Sequence, residues 1–389
     1  MRKAHPDLLS RRGVAKAGLL GGASFLLGAT RAARAEGPAE SSEFISVRQF
    51  GATGDGKTDE TKALQRALDA AGEARGAVFV PSGVYLCGDL QMRPNTALFA
   101  VPTWDYRSGG GTVLRLNNPD ASCLLNIAGA WGATIDGLAF DGAELGKGIH
   151  GILLNKSTYN REDAFRIERC LVRSFSGDGL NLTRAWCFSV RHCMLAYNKG
   201  DGLRLRGWDG FLVDNWFSSN GGAGFGAREE NASVTFTDNR IEWNHQENMV
   251  ITGCDGYQIT GNFFDRAGTC GIALRNGKQP CAQITITGNY FKRSGKLADP
   301  ESYDSSQIMI EGARGVTCVG NNLWAGRDDG GRGVWSPSYG IVYKGLENCV
   351  ISQNVLHQGA LRQLQVDLGG HAEGAIIKDN PGTVFKPPQ

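Results

Sequence analysis

His150, Asp178, Asp201 and Glu247 each stand immediately before a short apolar strand: Gly151-Ile152-Leu153-Leu154, Gly179-Leu180-Asn181-Leu182, Gly202-Leu203-Arg204-Leu205 and Asn248-Met249-Val250-Ile251. In other units the same position is Ala223, Cys270 or Ser306. If successive units stack at the strand spacing of about 4.8 Å, the carboxylates of Asp178 and Asp201 come within about 5 Å, near the separation of a retaining glycosidase pair. Glu247 falls two units past Asp201, roughly 10 Å away, close to an inverting separation with a water between. Like charges so near raise one pKa and leave one group protonated, as general acid chemistry requires. Asp178 and Asp201 also suit a hard cation such as calcium, the one cofactor the sequence admits beside none at all.

Outward positions of the same strands include Asn181 and Arg204, and the positions just beyond read Thr183, Arg206, Arg228, Thr252 and Arg275. Guanidinium forks suit carboxylates. An arginine flank would neutralise a uronate and acidify its C5 proton, which is the chemistry of β-elimination. Arg206, Arg228 and Asn181 are therefore substrate-binding candidates, and Arg204 joins the acids in the catalytic set. Tyr197 and His245 lie in the bends just before the acid column, and His150 heads that column. Any of the three is a candidate base or substrate contact. A plainer reading stands beside each of these. Gly-Asp-Gly, present at both aspartates, is also a turn signal, and the arginines also suit a solvated face. Trp208, Trp216, Trp243, Trp324 and Trp335 offer sugar-stacking faces or simple packing. Longer excursions at 295–305 and 324–339, the second with Asp328, Asp329 and Arg332, either wall this groove or form a rival site.

A repeat must position these residues. Ile167-Glu168-Arg169-Cys170, Val190-Arg191-His192-Cys193, Leu212-Val213-Asp214-Asn215, Phe236-Thr237-Asp238-Asn239, Ile259-Thr260-Gly261-Asn262 and Ile286-Thr287-Gly288-Asn289 recur about every two dozen residues and continue through Asn321 and Asn354. A fixed period of this length marks a solenoid whose units bury their apolar sides against their neighbours. Short strands with β-branched alternation and no helical spacing make it a β-solenoid. The Asn column fits a coil corner, where amide stacks on amide. Fifty-five glycines in 389 residues suit a chain with several bends per turn. Asp59 to Ala71 reads as an amphipathic helix, N-capped from Thr58, that plugs the first coil and covers its unpaired strands.

At the N-terminus, Ser10-Arg11-Arg12-Gly13-Val14-Ala15-Lys16 resembles a twin-arginine motif. It precedes an apolar run from Ala17 to Ala29 and a small-x-small site at Ala33-Arg34-Ala35. Residues 1–35 read as an export signal, 36–43 as a linker and 44–389 as one solenoid domain, placing the mature protein in the periplasm or outside the cell. Removing the signal takes seven of 41 basic and one of 39 acidic residues, leaving 34 against 38, a net charge of −4. That balance points away from a nucleic-acid partner. No later stretch is long and apolar enough to span a membrane. None of the ten cysteines forms a CxxC pair, which argues against structural zinc. Cys170 and Cys193 share a column at a spacing that permits a disulfide, or stack there as small buried hydrophobes.

The block Phe50-Gly51-Ala52-Thr53-Gly54-Asp55-Gly56-Lys57-Thr58-Asp59-Glu60-Thr61, with Gly76 to Leu86, resembles the N-terminal signature of the pectate-lyase-like superfamily. That group includes rhamnogalacturonase- and polygalacturonase-related proteins, alginate epimerases and phage depolymerase spikes. The resemblance covers residues 44–90, with matching coils to about 380. It implies an all-β, single-stranded right-handed parallel β-helix acting on a polysaccharide, and it admits a homotrimer. It does not select a reaction, since one scaffold hosts many chemistries. The N-x-D, D-D, G-H-G and R-x-K set of polygalacturonases is not present in order. Asn181-Leu182-Thr183 stands where alginate epimerases carry D-P-H. Cleavage of an acidic polysaccharide, by β-elimination ahead of hydrolysis, is the resulting expectation. A polymer-level epimerase and a non-catalytic glycan-binding rod are the alternatives.

Overall fold

A strand of three to five residues buries too little to stand alone, so each repeat bends and pairs with the repeats on either side. The computed structural model describes residues 44–389. In it the chain winds as a right-handed parallel β-helix with three walls. The twin-arginine motif, the cleavage site and the 36–43 linker lie outside the described residues.

The first wall carries His150–Asn155, the start of Leu180–Arg191, the start of Leu203–Val213, Phe225–Arg228, Met249–Thr252 and Ile272–Arg275. The second carries Arg166–Glu168, the ends of those two long strands, Ala232–Thr237 and Tyr257–Thr260. The third includes Leu171–Arg173, Met194–Ala196, Trp216–Ser218, Arg240–Glu242 and Phe263–Asp265. Leu180–Arg191 and Leu203–Val213 cross the corner between the first two walls without a break, apart from one register shift between Thr183 and Ala185.

Alternate residues of every strand point inward. Leu180, Leu203, Phe225, Met249 and Ile272 stack from coil to coil in a fully buried core; Phe217, Ile241, Phe264 and Phe291 form the facing column of the third wall, and Phe236 packs across onto Phe217. At the corner between the second and third walls the Asn column forms a buried ladder. Asn215, Asn239, Asn262, Asn289, Asn321 and Asn354 each donate through Nδ2 to Oδ1 of the next member, Asn380 being the last acceptor, and to a backbone carbonyl one coil below. Cys193 and Cys170 continue this column toward the N-terminus: Cys193 N donates to Asn215 Oδ1 at 3.0 Å and Cys170 N to Cys193 Sγ at 3.4 Å. All ten cysteines are free thiols. Burial pushes those of Cys254, Cys270 and Cys318 up to about 12, so they behave as small hydrophobes, not as nucleophiles.

The capping helix runs Thr61–Ala74, later than the expected 59–71, and buries Leu64, Ala67, Leu68 and Ala71 against the first coil. Thr58 is not its cap. Residues Asp55–Asp59 are taken by the first strand of the third wall. Asp55 there binds the Thr58 amide and hydroxyl at 2.9 and 2.8 Å. Glu60 occupies the N-cap position but turns its carboxylate back onto Gly54 N at 2.9 Å and Thr53 Oγ1 at 2.7 Å. Asp59 serves the open first turn instead, accepting from Thr61 N at 3.0 Å. No helix among the described residues is long and apolar enough to cross a membrane.

Candidate functional site

The bend from the third wall into the first must end with its backbone amides satisfied, and the acid column does this. Asp178 N donates to His150 Nδ1 at 3.0 Å, Asp201 N to Asp178 Oδ1 at 2.8 Å, and Ala223 N to Asp201 Oδ1 at 2.9 Å. One side chain thus caps the amide one coil above, and the column stops where Ala223 offers no acceptor. Asp178 and Asp201 are stacked as the repeat requires, but each is only 5% exposed. Their outer oxygens are occupied as well. Asp178 Oδ2 accepts from Asn181 Nδ2 at 2.7 Å, and Asp201 Oδ2 pairs with Arg228 Nη1 at 2.5 Å. The proton sharing expected of close carboxyl groups has no geometric counterpart, because no hydrogen bond joins the two among the described residues. Calcium does not fit either: all four oxygens face donors and a guanidinium sits on one of them. Among the described residues no group of three or more His, Cys, Asp or Glu is placed to hold a metal.

His150 is fixed by the same ladder. A backbone N–H can only donate, so Nδ1 is the unprotonated nitrogen and the ring carries its hydrogen on Nε2. Burial lowers its pKa below the ordinary histidine range; Asp178, 3.5 Å from Nδ1, opposes this and Arg204 reinforces it. In this tautomer His150 presents a hydrogen-bond donor and not a base.

Outside this ladder lies a basic cleft of about 470 Å³, lined by Thr183, Arg204, Arg206, Arg228, Glu229, Thr252 and Lys278. Strand register explains it: Asn181 pairs with Arg204 and Thr183 with Arg206, Arg204 with Gly226, and Arg228 with Thr252. Gly226 makes room for the ion pair: a Cβ at that position would collide with Arg228 Nη1 and meet Asp201 Oδ2 at 2.6 Å. Arg206 is bound to Glu230, and Lys278 to Glu229 at 3.2 Å. Arg204 is exposed and forms no hydrogen bond or ion pair among the described residues.

The remaining candidates fall elsewhere. Glu247 pairs with Arg275 at 3.2 Å, in a separate cluster with Asp304 and Glu311. Tyr197 does not face the acids. Residues 101–111 fold as a strap over the third wall, where Tyr106 stacks on Trp216 and meets Tyr197 at 5.2 Å between ring centroids. The strap's Trp104 Nε1 is held by Arg169 O at 2.5 Å. His245 is exposed in its bend without a side-chain partner among the described residues. The rival site at 328–332 is an anchor: Asp328 is buried, with Arg266 Nε at 2.6 Å and Lys296 Nζ at 3.5 Å holding the excursion down. Two features escaped the reading of the sequence. One is the pairing of Lys278 and Glu229 at the cleft's rim. The other is a second buried amide ladder, Asn198–Asn220–Asn244, at the bend below the acids. Its members are 22 and 24 residues apart, so the period carried that signal. Gly202 leaves room for both the strand above and this ladder, since a Cβ there would meet Gly224 O at 2.7 Å and Asn220 Nδ2 at 2.8 Å.

Residues 44–99 match the family described as rhamnogalacturonase A/epimerase, pectate lyase-like. Residues 123–279 and 224–384 match the right handed beta helix region. Among curated proteins, alginate lyase 7 of Azotobacter vinelandii is 58% identical over 41 residues, 10% of this chain and 5% of that protein. The mannuronan C-5 epimerase AlgE4 A-module, also of Azotobacter vinelandii, superposes with a TM-score of 0.59 at 17% identity, covering 88% of this chain and all of that one. The Dettilon tailspike protein gives 0.64 at 16% identity, covering 86% of this chain and 65% of that one. At such identities the structural likeness carries the fold, while the curated match spans only a small part of its relative.

Proposed function

We propose that this chain, which belongs to the right-handed β-helix family, acts on a uronate-bearing polysaccharide laid across its first wall, and that its chemistry begins at the C5 proton of a uronate. The observation that carries this reading is Arg204, an exposed guanidinium with no ionic partner among the described residues, beside Asn181 and above the buried Asp178. An unpaired arginine in a cleft is a ready carboxylate clamp. Clamping the C6 carboxylate withdraws charge from C5 and acidifies its proton. Asp178 Oδ2 is the base that takes that proton once Asn181 Nδ2, its donor in the free protein, turns from it onto a sugar hydroxyl; the Nε2–H of His150 orients a second hydroxyl, and Asp201 holds Arg228 in the rim. In elimination, the C5–H electron pair becomes the C4–C5 double bond, the C4–O4 bond breaks with its electron pair on O4, and O4 takes a proton from solvent water. A C5 epimerase begins with the same abstraction but returns a proton to the opposite face and breaks no glycosidic bond. The match to a family described as including epimerases keeps that second reading in play. Export by residues 1–35 would bring the enzyme to its polymer.

The test is incubation of the mature protein with a panel of uronate polymers, with and without chelator. The expected result is new ultraviolet absorbance from unsaturated sugars and shorter chains, insensitive to chelator. Unchanged chain length with altered sugar composition would select the epimerase. New reducing ends without ultraviolet absorbance would mean hydrolysis, and binding without turnover a passive rod; either overturns the C5 chemistry.

A further inference from the structure

Eight tryptophans lie in the described residues, and seven are accounted for by packing. Trp131, Trp216, Trp243, Trp324 and Trp335 each carry a cation over the ring, from Arg161, Arg240, Lys296, Lys292 and Arg327 at 4.1, 5.6, 4.3, 4.9 and 4.1 Å. Trp104, within the strap, donates Nε1 to Arg169 O at 2.5 Å, and Trp186 donates Nε1 to Asp209 at 3.0 Å. Trp208 differs from all of them. Alone among these eight it is exposed, at 42%, and no cation lies over it among the described residues. Tyr159 meets the ring edge-on at 76° between planes, and Trp186 is its strand partner one coil below. The coil above offers Ala232 at the same column, too small to cover it.

Position gives this ring its meaning. Along Leu203–Val213, residues Arg204, Arg206 and Trp208 point outward in turn, from the cleft to the corner between the first two walls. Four residues of strand set Trp208 about 13 Å from Arg204. A pyranose over Trp208 is therefore not the uronate held by Arg204 but a sugar further along the same chain. Aromatic faces bind the C–H faces of sugars, and Trp208 is the next outward position on the strand after Arg206, which lines the charged cleft.

We infer that Trp208 is the stacking platform of a distal glycan subsite, and that the polymer crosses the rod along this strand instead of running parallel to its axis. The inference rests on the first-wall reading above, but it makes its own claim about a pyranose ring of any charge. The test is titration of Trp208→Ala and Trp208→Phe against uronate oligosaccharides of increasing length and neutral oligosaccharides of matched length, followed by calorimetry. The exposed site keeps both variants folded. For long oligosaccharides Trp208→Ala should weaken binding about five- to tenfold, with Trp208→Phe retaining most of it. Ligands too short to span from Arg204 should be indifferent to either change. Equal affinity of wild type and Trp208→Ala for every ligand bound would overturn the subsite and leave the Arg204 reading intact. Neutral ligands bound through Trp208, with uronates rejected, would support the subsite and overturn that reading. Binding of neither class would overturn both.

Discussion

Arg204→Ala is expected to lower kcat/KM on a uronate polymer about 10²- to 10³-fold, the scale of losing one preorganised charge-stabilising donor. Because Arg204 is exposed and makes no bond among the described residues, the same change should leave the unfolding free energy within about 0.5 kcal/mol of wild type. That combination separates Arg204 from its neighbours. Arg206 and Arg228 are engaged by Glu230 and Asp201, so their loss would disturb the wall as well as the ligand. Arg204→Lys should recover only part of the activity, since an ammonium cannot present the two parallel donors that a carboxylate accepts from guanidinium. Steady-state kinetics with denaturant melts of the three proteins checks both halves. Full activity in Arg204→Ala would remove the clamp from the account.

Asp178→Asn is expected to be at least as damaging to turnover, about 10²- to 10⁴-fold in kcat, as befits the loss of a general base. The substitution is conservative toward the fold. The asparagine Oδ1 can still accept from Asp201 N, now at 2.8 Å, so the rung-to-rung ladder survives. The Asn181 amide can turn to accept where it formerly donated at 2.7 Å. What disappears is the charge and the proton acceptor. A fall in kcat with KM nearly unchanged supports the assignment, because the carboxylate acts in the transition state. A fall in stability with normal specific activity of the folded fraction would instead make Asp178 a ladder residue only.

The architecture was legible because it is periodic. Each Asn of the 215–354 column sits where amide stacking demands, and the Gly-Leu-x-Leu strands fixed which residues point in and which out. Columns were legible for the same reason: Asn181 under Arg204 and Thr183 under Arg206 follow from a period-two strand in parallel register. What a column does with its side chains was not legible. His150, Asp178 and Asp201 read as an acid cluster, yet much of their hydrogen bonding goes to amides of the coil above. That depends on the bend's backbone, which no residue type announces. Tyr197 was misplaced for a related reason. A bend of several residues turns from the third wall to the first, and its first residue, here Tyr197, belongs to the wall it leaves. The strap at residues 101–111, which captures Tyr197, reaches it from nearly 100 positions earlier and leaves no local trace. At the helix start, Thr58 looked like the cap and Glu60 like a residue of the first turn, but loop amides of the preceding segment had a stronger claim on Glu60.

The most direct measurement is a structure of the protein with a bound uronate oligosaccharide. The account predicts a sugar carboxylate paired with the Arg204 guanidinium, the C5 hydrogen directed at Asp178 Oδ2, and the chain passing toward Trp208. An oligosaccharide seated instead on the third wall, between the 101–111 strap and Trp216, with Arg204 free in solvent, would contradict it.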